Sequence, residues 1–220
     1  MSDSLQIDEL DELGIEGIYP GDDDAWLPWL LSPAVAAATG AGALAAGVAG
    51  WLTNAHRGPL VAAAVALLCA ALVVLSAVDI KFMLLPDAIT LPAVPVLGIL
   101  LAAAAGTGQI TWLQLLTGLI CMAGCYGVLY VITVLTGGMA WGDLKLALAL
   151  GLVLGIESPY AAALGALILP VLISTVLVLP MFFAGKAKAR LPFGPFMAAG
   201  ALLVLLAPGW LPSLWMGFAA

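Results

Sequence analysis

Charged residues are scarce in this sequence. Its 220 residues include 6 Lys or Arg, 13 Asp or Glu and 1 His, while hydrophobic residues make up 64%. This balance excludes a water-soluble globular domain. Because the few basic residues form no patch, we expect no nucleic-acid partner. The short alternating segments of a transmembrane β-barrel are also absent.

Side chains that bind metal ions are scarce as well. The three cysteines, Cys69, Cys121 and Cys125, lie inside apolar runs, form no Cys-x-x-Cys pair and have no histidine nearby. A zinc site needs several such ligands at short spacing. The sequence therefore predicts no metal and no cofactor, and we interpret the cysteines as small buried side chains.

Long apolar runs are what the sequence does contain. Several approach or exceed the ~20 residues that cross a bilayer as a helix. They predict an all-α polytopic membrane protein with about seven transmembrane helices, at about residues 33–52, 60–78, 88–105, 110–135, 143–156, 160–184 and 195–207. The fifth helix, at roughly 21 Å, is shorter than the ~30 Å hydrocarbon core. We expect it to be recessed at one end, or the bilayer to thin around it.

The N-terminal segment has a different composition. Residues 1–24 hold nine acidic residues and no basic one. A signal peptide would need a basic start and an early apolar core, so we interpret this segment as a disordered, solvated tail. The chain is thereby divided into an acidic cytoplasmic tail, residues 1–25, and a membrane-embedded domain, residues 26–220.

The basic residues predict the orientation. If the N-terminus is cytoplasmic, only Arg57 faces outward, in agreement with the positive-inside rule. The five basic residues on the cytoplasmic side are then Lys81, Lys145, Lys186, Lys188 and Arg190. Two predicted crossings separate Asp79 from Asp143. This orientation therefore puts both carboxylates at the cytoplasmic face.

Asp79 and Asp143 lie at the edges of apolar runs. An ionisable residue in or near a bilayer is unfavourable and by default indicates function. Two carboxylates at one depth can form an aspartyl dyad. Two alternatives stay open: Asp79 could end a helix and pair with Lys81, and Asp143 could simply cap the helix that it opens.

Three neighbouring residues could support the pair. Gly142 has no Cβ, so another segment can approach Asp143 closely. Asp87 follows Pro86 where an N-cap for the third helix belongs. Lys145 could pair with a carboxylate, contact lipid headgroups or mark the cytoplasmic side.

Three motifs resemble those of bacterial type IV prepilin peptidases, and they occur in the same order. They are Val78-Asp79 with Leu84-Leu85-Pro86-Asp87, then Met139-Ala140-Trp141-Gly142-Asp143-Leu144-Lys145, then Pro192-Phe193-Gly194-Pro195-Phe196. The resemblance covers about residues 30–208. It implies an intramembrane aspartyl protease of the Gly-x-Gly-Asp type, with Asp79 and Asp143 as the catalytic pair. Ala140 stands where that motif has its first glycine, and its methyl group could restrict the backbone or tighten the substrate cleft.

The resemblance also implies a substrate. The family cleaves the basic leader from prepilins or pseudopilins, after a glycine and at the cytoplasmic face of the bacterial inner membrane. We therefore expect an aspartic endopeptidase that serves type IV pilus assembly or protein secretion. Attraction of the basic leader by the acidic tail is a further hypothesis. Bifunctional members carry two Cys-x-x-Cys pairs that this sequence lacks, so it resembles the short, peptidase-only form and we expect no methyltransferase activity.

A dyad has a simple mechanism. Two adjacent carboxylates share one proton, so one acts as general base on water and the other as general acid. Which of the two starts as the base stays open. A rival interpretation is an ion- or proton-coupled transporter, although no internal repeat is visible. A presenilin-like protease would hold its first aspartate deeper and would lack the Leu-Leu-Pro-Asp connector.

Overall fold

The computed structural model describes residues 26–136, 141–183 and 192–207, and most of this part of the chain is helical. The α-helices are α1 (Trp26–Leu30), α2 (Pro33–Asn54), α3 (Pro59–Phe82), α4 (Asp87–Gly106), α5 (Trp112–Thr136), α6 (Trp141–Gly155), α7 (Pro159–Ala163), α8 (Leu169–Phe183) and α9 (Gly194–Leu206). A 3₁₀ turn, Ala55–Arg57, follows α2, and a π-helical turn, Leu164–Ile168, joins α7 to α8. The predicted all-α architecture is confirmed.

Several helices in the described ranges are long and apolar enough to cross a membrane. These spans are Pro33–Arg57, Pro59–Phe82, Asp87–Gly106, Trp112–Leu135 and Pro159–Leu177. Helices α6 and α9 are apolar but shorter, with 15 and 13 residues. Large apolar side chains cover much of the outward surface, which suits lipid and not water. The chain is thus a polytopic membrane protein, as predicted; seven crossings and a cytoplasmic N-terminus stay predictions. The acidic tail lies outside the described residues.

Helices α3 and α6 form the centre of the bundle, because they carry the largest sets of buried residues. Helix α3 packs against α2, α4 and α9, and α6 packs against α4, α5 and α7. The α5–α6 contact is especially close: a Cβ added to Gly151 or Gly155 would lie under 3 Å from backbone or Cβ atoms of α5. Small residues spaced four apart bring membrane helices together in this way. The two predicted catalytic aspartates thus belong to the two helices with the most buried residues.

The end of α3 differs from its prediction. The second helix was expected to stop at residue 78, with Asp79 beginning a connector, but α3 continues through Phe82. It ends at Met83, which has φ 52° and whose N–H donates to the carbonyl of Asp79 at 2.8 Å. A charged residue ends an apolar run without ending a helix. The left-handed backbone of Met83 ends the helix, and the connector to α4 is residues 83–86.

Candidate active site

Asp79 lies in the last turn of α3 and is buried, with 3% of its surface exposed. Its Oδ2 accepts a hydrogen bond of 2.9 Å from the main-chain N–H of Gly194, 115 residues away. The alternative pairing of Asp79 with Lys81 is contradicted, because the Lys81 side chain is exposed and neither ion pair among the described residues includes Asp79. Residues two apart on a helix point in different directions.

Gly194 offers this hydrogen bond because it is the first residue of α9. The first N–H groups of a helix have no carbonyl partner within the helix. Pro195, the next residue, has no N–H to offer. A Cβ on Gly194 would lie 2.6 Å from Oδ2 of Asp79, so a larger residue there would displace this carboxylate. The third motif of the sequence therefore meets the first at a main-chain contact.

Asp143 is the third residue of α6 and is equally buried, with 3% of its surface exposed. A carboxylate in the first turn of a helix interacts favourably with the helix dipole. Its neighbour Gly142 meets Leu85 of the connector, and a Cβ on Gly142 would lie 2.8 Å from the Cβ of Leu85. The connector that follows Asp79 thus rests against the residue that precedes Asp143. Both aspartates therefore lie at the same end of the bundle.

Lys145 and Asp87 form an ion pair beside this contact, with 2.5 Å between Nζ and Oδ1. Of the three roles considered for Lys145, the structure shows pairing with a carboxylate. Asp87 is not the predicted N-cap: it is the first residue of α4, and Pro86 occupies the cap position in an extended conformation. Because Pro86 already has the backbone geometry that starts a helix, the Asp87 side chain is free to reach across to α6.

The opposite end of the bundle holds the other ion pair. Arg57 contacts Glu157, so the turn after α2 is tied to the loop after α6. Asn54 is buried beside it and donates from Nδ2 to the carbonyl of Leu205 in α9, at 3.3 Å. These groups lie one helix length away from Asp79. They fix how the helices stack and do not belong to the site.

Sequence reasoning assigned no role to Gly194, because a main-chain N–H has no signature in the sequence. The Gly-Pro pair at the start of an apolar helix was the one sequence feature that could have indicated this contact. Aromatic packing at this end was also missed: Trp29 of α1 meets the ring of Phe82, with 5.3 Å between centroids. Ala140, the departure from the motif pattern, lies outside the described residues.

Comparisons with known proteins identify the family of this chain. A sequence model of the type IV leader peptidase family matches residues 66–183. A prepilin leader peptidase/N-methyltransferase of Bacillus subtilis (strain 168) is 33% identical over 138 residues, which is 61% of this chain and 52% of the relative. A protein of the same name from Burkholderia pseudomallei (strain 1026b) is 36% identical over 173 residues, 74% of this chain and 51% of the relative. The chain spans about half the length of these relatives. No solved structure matches it.

Proposed function

This chain belongs to the type IV leader peptidase family, and we propose that it is an aspartic endopeptidase whose catalytic pair is Asp79 and Asp143. The observation that carries the proposal is the burial of both carboxylates at one end of the bundle. They lie on its two central helices, which are joined there by the contact between Leu85 and Gly142. A buried carboxylate in a membrane protein is unfavourable and is retained for function.

The proposed chemistry follows from sharing a proton between two carboxylates. At neutral pH one aspartate is ionised and takes a proton from the attacking water. The water oxygen bonds to the scissile carbonyl carbon while the protonated aspartate donates to the carbonyl oxygen. The tetrahedral intermediate then expels the amine, which receives the proton from the first aspartate, while one hydroxyl group of the intermediate returns a proton to the second aspartate. The products are a leader peptide with a new carboxyl group and a shortened protein with a new amino group.

The proposed substrates are prepilins or pseudopilins, because the relatives are named prepilin leader peptidases. Such a substrate has an apolar helix within the membrane and a basic leader outside it. The Lys145–Asp87 ion pair and the exposed Lys81 beside the aspartates support a site near the membrane surface, where such a leader begins. We propose the cytoplasmic face of the inner membrane, where the positive-inside rule puts these lysines.

The test is cleavage of a co-expressed prepilin by single variants. Asp79→Asn and Asp143→Asn each keep the shape of the side chain and remove its ability to ionise, so each is expected to abolish processing while the protein still accumulates in the membrane. Glu157→Gln is the matched control, because it neutralises an acidic residue at the opposite end of the bundle. Normal processing by either aspartate variant would refute the proposal.

A further inference from the structure

We propose that Gly194 is a positioning residue whose main-chain N–H holds the carboxylate of Asp79 in its working orientation. This inference rests on the proposed function, since it assumes that Asp79 acts in peptide cleavage. Gly194 lies outside the residues that the family model matches, which end at residue 183. The proposal stands on one hydrogen bond and on the space around it.

The hydrogen bond ties one oxygen of Asp79 to a fixed point. Gly194 N–H lies 2.9 Å from Oδ2, and this contact is buried. A carboxylate held by one oxygen cannot rotate freely. The other oxygen, Oδ1, is therefore the one left to exchange a proton with the attacking water. Catalytic groups need such support, because an error of about 1 Å in their position can reduce a rate about 100-fold.

Helix α9, which carries the donor, is packed into the bundle. Met197 and Ala201 of this helix are fully buried, and α9 packs against α3, the helix that carries Asp79. At its other end the carbonyl of Leu205 accepts from Asn54. The N–H of Gly194 therefore belongs to a helix that packs against α3 and is tied to α2 at its far end.

The Asp79 carboxylate fills the space beside residue 194. A Cβ there would lie 2.6 Å from Oδ2 and 3.2 Å from Cγ of Asp79, so even alanine must displace the carboxylate. The same helix offers a matched comparison at Gly200. A Cβ there would lie 2.7 Å from the carbonyl oxygen of Gly165 and 2.8 Å from Cδ of Pro170, so it would also clash, but with main-chain and proline atoms and not with Asp79.

The experiment compares Gly194→Ala with Gly200→Ala in the full-length protein, purified in detergent and supplied with a prepilin. Size-exclusion chromatography and thermal unfolding measure the folded fraction, and kcat is expressed per folded enzyme. We expect Gly194→Ala to lower kcat by about 10- to 100-fold with KM within about twofold of wild type. We expect Gly200→Ala to lower the unfolding temperature while its kcat stays within about threefold.

Two results would overturn the inference. One is a wild-type kcat for Gly194→Ala, and the other is an equal loss of kcat in both variants, which would trace the effect to displacement of α9 in general. Asp79→Asn, assayed in parallel, separates this failure from that of the proposed function. If Asp79→Asn is inactive and Gly194→Ala is fully active, only the role of Gly194 is wrong; an active Asp79→Asn would contradict both.

Discussion

Replacing Gly142 by alanine tests whether the connector and the start of α6 must touch. The added Cβ would lie 2.8 Å from the Cβ of Leu85, whereas ordinary contact begins near 3.4 Å. One side must therefore move by at least about 0.6 Å, and Leu85 is itself buried. Inserting a methyl group into a packed site typically reduces stability by about 1–3 kcal/mol.

The effect on catalysis should be larger than the effect on folding, because Gly142 is adjacent to Asp143. A displacement of this size at one carboxylate predicts a fall in kcat of roughly 10- to 100-fold. The assay is cleavage of a purified prepilin in detergent, with the rate expressed per folded enzyme.

Gly124→Ala is the matched control, since a Cβ at that position in α5 meets nothing within 4 Å. Alanine there should leave the rate unchanged and favour the helix slightly. If Gly142→Ala cleaved within twofold of wild type, close packing of the connector on α6 would not be needed to align the aspartates.

Two further predictions concern charge at this end of the bundle. Lys145→Met or Asp87→Asn should lower kcat by only about two- to fivefold, because a partly exposed ion pair contributes up to about 1 kcal/mol. Exchanging the two residues (Lys145→Asp with Asp87→Lys) should recover most of the loss. An exchange no better than the single variants would contradict a positioning role for the pair. Deleting residues 1–24 should raise KM for a substrate with a basic leader at low salt and not at high salt. The reason is that α1, which follows this acidic segment, contacts the end of α3 that carries Asp79. An unchanged KM at both salt concentrations would refute this prediction.

The sequence predicted the helices well because length and hydropathy decide them. Apolar runs bounded by Pro33, Pro59 and Pro159 begin helices at those residues in the structure. The predicted end of α3, at residue 78, was wrong. Asp79 and Lys81 lower the hydropathy of this segment, but the helix continues through them. A boundary drawn from hydropathy marks a change of surroundings and not a change of backbone geometry.

The site was predictable only in part. The scarcity of charge in the apolar runs, and then the motif resemblance, singled out Asp79 and Asp143, but neither revealed what holds them. The pairing of Asp87 with Lys145 joins residues 58 positions apart, and a local rule assigned Asp87 to a cap instead. The contact from Gly194 is made by the main chain, which is the same in every residue except proline. Such partners follow from the packing of α9 on α3, which no local pattern encodes.

The central claim is that Asp79 and Asp143 act as one catalytic unit. Its most direct test is a comparison of kcat for Asp79→Asn, Asp143→Asn and the double variant with a purified prepilin. Groups that act together show non-additive losses. We predict that each single variant loses about 1,000-fold or more and that the double variant loses no more than the worse single one. Losses that multiply in the double variant, or a single variant that retains wild-type cleavage, would contradict the claim.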